Sequence, residues 1–70
     1  MQDINANLDT DIAEVIVINY GNVATVYTVW NNVTQQWANN GKQYNGPYEA
    51  RNEARRIIAQ YNGSNNLIEA

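Results

Sequence analysis

The sequence predicts an α+β fold, a small antiparallel three- or four-stranded meander packed against one C-terminal helix. Two runs rich in β-branched residues, 14–20 and 23–30, have the composition of strands. Gly21-Asn22 separates them and is a tight hairpin signal with glycine first. A later segment places small and apolar residues at helical spacing, between a Gly-Pro pair and an Asn-Gly pair that indicate its start and its end.

The first two strands are expected to form a hairpin. If Gly21-Asn22 is the whole loop, Tyr20 lies opposite Val23 and Ile18 lies opposite Thr25. Both faces of such a hairpin are fairly apolar. We therefore expect one face to meet the helix and the other to be only partly covered.

A third strand is predicted over residues 33–38, after a turn at Asn31-Asn32. The pair Asn40-Gly41 is the strongest hairpin signal in the chain and would bring Trp37 opposite Tyr44. An alternative remains open, because apolar residues between 23 and 39 also recur at helical spacing. Its weakness is the many β-branched side chains, which lose rotamer freedom in a helix.

The predicted helix starts at Pro47, where proline is tolerated, and carries Glu49 in its first turn, where the helix dipole favours a negative charge. One stripe of small and apolar residues is expected to face the sheet: Ala50, Ala54, Ile57, Ile58 and Tyr61. The two alanines would allow a close approach. Asn62-Gly63 predicts the end of the helix.

Seventy residues form one domain at most. Residues 1–12 are polar and acidic, and we expect an arm that is disordered or loosely docked. Residues 13–63 form the sheet-plus-helix domain, and residues 64–70 form a polar C-terminal tail.

Composition excludes several kinds of chemistry. The chain has no cysteine and no histidine, so it lacks thiolate ligands, the commonest metal ligand and the usual general base. We therefore predict no catalytic residue, no metal and no cofactor. No apolar run approaches the length of a membrane span, and no apolar leader opens the chain, so the expected compartment is the cytoplasm. The thirteen asparagines indicate a nucleotide bias in the source genome, for which a viral or mobile-element source is one hypothesis.

Six residues are candidates for a partner-binding surface, because arginines and exposed aromatic residues are favoured interface anchors. They are Arg51, Arg55 and Arg56 in the helix, Trp30 and Trp37 in the strands, and Lys42. Arg51 and Arg55 lie one turn apart on the same flank, and replacing both by glutamine is expected to leave the fold intact. The alternative is a solvated face on which Glu53 pairs with Arg56.

The stretch from 27 to 61 resembles the arm-type DNA-binding domain of phage integrases of the tyrosine-recombinase class. Residues 46–54 correspond to the Gly-aromatic-x-Thr-x-x-Glu-Ala pattern that opens the helix of those domains, and Asn40-Gly41-Lys42 stands where they turn between strands. Ala50 occupies the place of the threonine. The resemblance implies three strands followed by a helix, and a sheet that contacts DNA.

Charge separates the functional alternatives. The net charge is −3, whereas a domain that tracks phosphates is normally basic, and Lys42 is the one cation expected near the sheet. The sequence therefore favours a non-catalytic protein-interaction module, such as a small phage-type regulator or inhibitor of a larger protein. An accessory nucleic-acid-binding domain and a homo-oligomeric structural protein are the alternatives.

Overall fold

The computed structural model describes the backbone of residues 3–69 and the side chains of residues 3–63. It contains strands β1 (Ala13–Tyr20), β2 (Ala24–Asn31) and β3 (Gln36–Trp37), followed by helix α1 (Pro47–Glu69). The strands form one antiparallel sheet in the order β1-β2-β3. The predicted α+β class, with a hairpin and a C-terminal helix, is confirmed, and the sheet has three strands.

The hairpin register differs by one residue from the predicted one. Tyr20 lies opposite Ala24, and Ile18 lies opposite Val26. The Val23 N–H still donates to the Tyr20 carbonyl over 3.1 Å, but Val23 lies outside the ladder as a third loop residue and is 90% exposed. Since side chains alternate between the two faces, this shift changes which residues of β2 share a face with which residues of β1.

Packing against α1 explains the observed register. Val15 lies opposite Val29, and both are almost completely buried. Ala50 and Ala54 of α1 are fully buried in the same cluster, so the helix backbone approaches the sheet closely, as the two alanines predicted. A slip by one residue would move Val29 to the opposite face and empty the centre of this core.

The segment after β2 departs from the predicted second hairpin. The turn at Asn31 is confirmed, because its Oδ1 accepts from the Val33 and Thr34 N–H groups at 2.9 and 3.1 Å. The strand expected over 33–38 is reduced to Gln36–Trp37, where Trp37 pairs with Trp30. The helical alternative for residues 23–39 is wrong, because β2 pairs along its whole length with β1.

Asn40-Gly41 does not form a two-residue hairpin turn. A short 3₁₀ segment, Ala38–Gly41, follows β3, and Asn39 and Asn40 have left-handed φ angles of 53° and 60°. The chain then returns to β2 further along, where Tyr44 and Tyr27 exchange hydrogen bonds of 2.9 and 2.7 Å. The predicted pair of Trp37 and Tyr44 is therefore wrong, since the intervening loop separates them.

Helix α1 continues through Asn62-Gly63 to Glu69, so the predicted end at this pair is wrong. A glycine ends a helix by adopting a positive φ, and the only described glycines that do so are Gly21 and Gly41. The backbone of the predicted tail is helical through Glu69, and its side chains lie outside the described ones.

Ile58 provides a test of the docked helix face. It is half-buried and packs against the core cluster. Ile58→Ala should lower the free energy of unfolding by about 1–2 kcal/mol, less than at a fully buried site, because part of the side chain is already in water. Urea denaturation would measure the change, with the exposed Gln60→Ala as a control. Equal midpoints for the two variants would show that this face is not docked.

Candidate binding groove

A groove of about 570 Å³ lies between the N-terminal segment, the hairpin and the first turns of α1. It is lined by Asp3, Ile4, Ala6, Val17, Tyr27, Pro47, Tyr48, Arg51 and Arg55. Two of the six predicted partner-binding residues are therefore brought together here, one helical turn apart. We refer to this concavity as the groove.

One wall of the groove is the segment expected to be an arm. Residues 3–12 form a series of turns, in which Ile4 and Leu8 pack against the core and Ile12 is buried. The segment is thus docked through apolar side chains, and its exposed positions include Asp9 and Asp11. The sequence analysis expected a disordered or loosely docked arm, because residues 1–12 show little apolar periodicity from which this docking could have been predicted.

The side chain of Asn5 joins this segment to the edge of the sheet. Its Nδ2 donates to the Val15 carbonyl over 3.1 Å, and its Oδ1 accepts from the Val15 N–H over 2.7 Å. A primary amide offers the same donor and acceptor as a peptide group. At this one residue, Asn5 therefore takes the place of a neighbouring strand.

Arg51 fastens the same segment to α1. Its guanidinium donates to the Ile4 carbonyl and, over 3.0 Å, to the Ala6 carbonyl. The side chain is half-buried, and its two contacts bridge positions more than forty residues apart. Arg51 lines the groove, and its two hydrogen bonds to the N-terminal segment give it a structural role. These contacts do not support the expectation that replacing Arg51 by glutamine leaves the fold unaffected.

Arg55 and Arg56 have different surroundings. Arg55 is exposed, lines the groove and has no carboxylate within ion-pair distance among the described side chains. Arg56 lies outside the groove and pairs with Glu53 across 3.4 Å at i,i+3 spacing, with 67% of its side chain exposed. Such an exposed pair contributes only a few tenths of a kcal/mol. The structure thus brings Arg55 into the site and leaves Arg56 out.

Apolar side chains complete the groove. Tyr48, in the first turn of α1, is 79% exposed, and Val17 of β1 is 43% exposed. Neither was a candidate in the sequence. The signal for Tyr48 was present, because Tyr48, Arg51 and Arg55 recur at i, i+3 and i+7, which places them on one flank of a helix.

The two tryptophans lie elsewhere. Trp30 and Trp37 stack edge-to-face with ring centroids 4.9 Å apart and an interplanar angle of 80°. Trp30 lies opposite Glu14, which alternates with the core residues Ala13 and Val15, so both rings belong to the sheet face turned away from α1. Trp37 remains 47% exposed.

Lys42 does not line the groove. Its ammonium group lies 5.2 Å from the centroid of the Tyr44 ring, within the range of a cation–π contact. The three strands themselves contain no lysine or arginine. Lys42, which the sequence analysis expected near the sheet, therefore lies in the segment between the 3₁₀ turn and α1.

Within the part of the chain that the structure describes, there is no cluster of three or more acidic side chains that could hold a metal ion. Over the same residues, no helix combines the length and the apolar character that crossing a bilayer requires.

The chain is therefore a small sheet-plus-helix domain with a groove at one edge of its sheet, and two arginines line this groove. No protein-family profile, curated protein or solved structure matches the chain.

Proposed function

We propose that this protein is a non-catalytic interaction module that binds another protein in the groove. The observation that carries the proposal is the combination of Arg55, exposed and without an ion-pair partner among the described side chains, with the exposed ring of Tyr48 on the same helix flank. Arginine and tyrosine are favoured interface anchors, and Tyr48 does not belong to the core cluster. A single domain without histidine or cysteine suits a regulator or inhibitor that acts by occupying its target.

Charge favours a protein over a nucleic acid as the partner. Binding along a phosphate backbone needs several cations in a stripe, and the strands carry none. Of the two arginines in the groove, Arg51 already donates to two carbonyl groups. Arg55 has no ion-pair partner among the described side chains, and the net charge of the chain is −3, so the groove fits one acidic side chain better than it fits a polyanion.

The groove can be tested with Arg55→Glu and Tyr48→Ser, measured against a partner captured from the source host and then purified. Each variant should weaken binding by about tenfold or more, equivalent to the loss of about 1.4 kcal/mol of binding free energy. Arg56→Glu is the matched control, because Arg56 lies one residue further along α1 and outside the groove. Its affinity should stay within about twofold of the original protein.

Two results would overturn the proposal. Equal affinities for all three variants would place the partner on another surface, such as the face that carries the two tryptophans. Binding to mixed-sequence duplex DNA, with an affinity that falls steeply as salt is raised, would support the nucleic-acid alternative instead.

A further inference from the structure

The free edge of β1 lies next to the groove. In an antiparallel pair, alternate residues direct their backbone groups toward the partner strand and away from it. The Ile12 carbonyl accepts from the Asn32 N–H over 2.8 Å, so even-numbered residues of this strand point toward β2. Val15 points away, because both its backbone groups bond to Asn5. Val17 and Asn19 have the same parity and therefore also point outward.

This edge is covered for only part of its length. The Ala13 N–H donates to the Asp9 carbonyl over 3.2 Å, and Asn5 occupies the edge at Val15. Among the described residues, nothing bonds to the outward backbone groups of Val17 or Asn19. Proteins usually block an exposed strand edge, because it is a template for pairing with another chain. Here the cover ends where the groove begins, since Val17 itself lines it.

The geometry of the sheet links the open edge to the groove. Side chains of odd-numbered β1 residues face α1, as the burial of Val15 shows. A strand added beside Val17 would direct its alternate side chains to the same face, toward the helix flank with Tyr48 and Arg55. Backbone hydrogen bonds would then provide affinity, and the groove would select side chains.

We infer that the groove receives an extended acidic segment of a partner protein, which adds to β1 as a further strand at Val17 and Asn19 and places a carboxylate at Arg55. This inference rests on the proposed function. A second copy of the same chain is a poorer occupant. Its own β1 would present alanine, valine and asparagine at the odd-numbered positions, with no carboxylate to meet Arg55.

The test begins by selecting random octapeptides from a display library on the full chain. The expected peptides alternate β-branched or aromatic residues with other residues and contain an acidic one. A selected peptide is then measured against Val17→Pro and Val17→Thr. Proline removes the outward N–H but no bond to β2, because Val17 and Tyr27 form a non-bonded pair. Threonine keeps both the N–H and the β-branched shape.

Binding should fall about tenfold or more in Val17→Pro, because the proline ring removes the backbone N–H that would donate to the added strand. Val17→Thr keeps this N–H, so its loss of binding should be clearly smaller than that of Val17→Pro. Thermal melting checks that each variant is folded. If Val17→Pro does not fold, an ester in place of the Val17 amide, introduced by chemical synthesis, removes the same N–H without a ring. The same loss is expected of it.

The outcomes separate the inference from the proposed function. Loss of peptide binding in Arg55→Glu and Tyr48→Ser, with full binding in Val17→Pro, would retain the groove and overturn strand addition. Selected peptides that lack acidic residues, or that match residues 13–20 of this chain, would overturn the inference that the occupant is an acidic segment of a partner protein. Failure of Arg55→Glu to affect any selected peptide would overturn both.

Discussion

Ala54→Leu is expected to remove a large part of the stability of this domain. Ala54 has no exposed surface and lies in the core cluster with Val15 and Val29, where α1 meets the sheet. Three additional carbon atoms at this contact would force the helix away from the strands. Overpacking typically costs about 1–3 kcal/mol, and more where backbones are in close contact. A domain of this size has only about 5 kcal/mol to lose.

The measurement is urea or thermal denaturation followed by far-ultraviolet circular dichroism. Ala59→Leu is the matched control, since Ala59 belongs to the same helix but is exposed. Leucine is a good helix former, so the control should change stability by no more than about 0.5 kcal/mol. Equal denaturation midpoints for Ala54→Leu and Ala59→Leu would mean that α1 does not pack against the sheet through its alanine face.

Arg51→Gln is expected to release the N-terminal segment and to cost about 1–3 kcal/mol, because hydrogen bonds from a charged donor contribute more than neutral ones. The guanidinium reaches the Ile4 and Ala6 carbonyls together. Glutamine is shorter and uncharged, so it cannot reproduce both bonds. Once the segment is released, the apolar contacts of Ile4 and Leu8 with the core are lost as well.

Arg55→Gln provides the comparison for this change, one turn away on the same flank. Arg55 is exposed and makes no ion pair among the described side chains, so its replacement should leave the urea midpoint within experimental error. Removing one of two neighbouring positive charges would, if anything, stabilise the helix slightly. A midpoint for Arg51→Gln equal to that of Arg55→Gln would remove the structural role assigned to Arg51.

The hairpin and the helix could be predicted because their signals are local. β-Branched density indicates β1 and β2, and the alanine stripe indicates the docked face of α1. The register could not be predicted from Gly21-Asn22 alone, because it depends on how Val29 packs against Ala50 and Ala54 of the helix, which come much later in the chain. Similarly, Asn40-Gly41 signals left-handed backbone without specifying a hairpin, and the structure uses it in a 3₁₀ turn.

The structure also gives a physical role to part of the asparagine excess. Asn7, Asn39 and Asn40 adopt left-handed φ angles of 66°, 53° and 60°, a conformation that asparagine tolerates better than most residues. Asn31 bonds to the backbone of its own turn. Turn geometry thus accounts for several of these residues without reference to the source of the gene.

The groove was only half predictable. Helical spacing places Arg51 and Arg55 on one flank, and the same spacing would have added Tyr48. The docking of the N-terminal segment had no comparable signal, since Asn5 contacts a residue ten positions away and Arg51 contacts one forty-seven positions away. Single polar side chains carry these contacts, and no periodic pattern in a sequence reveals such pairs.

The bond between Asn5 and Val15 has a consequence for hydrogen–deuterium exchange. The Val15 N–H lies within a strand, but its bond partner is the Asn5 side chain, outside the ladder. Its neighbours Glu14 and Ile16 point toward β2 and are protected by the hairpin itself. When the N-terminal segment lifts, the Val15 amide becomes open to solvent while the hairpin stays paired. The exchange rate of this one amide therefore reports local opening of the groove wall, separately from unfolding of the whole domain.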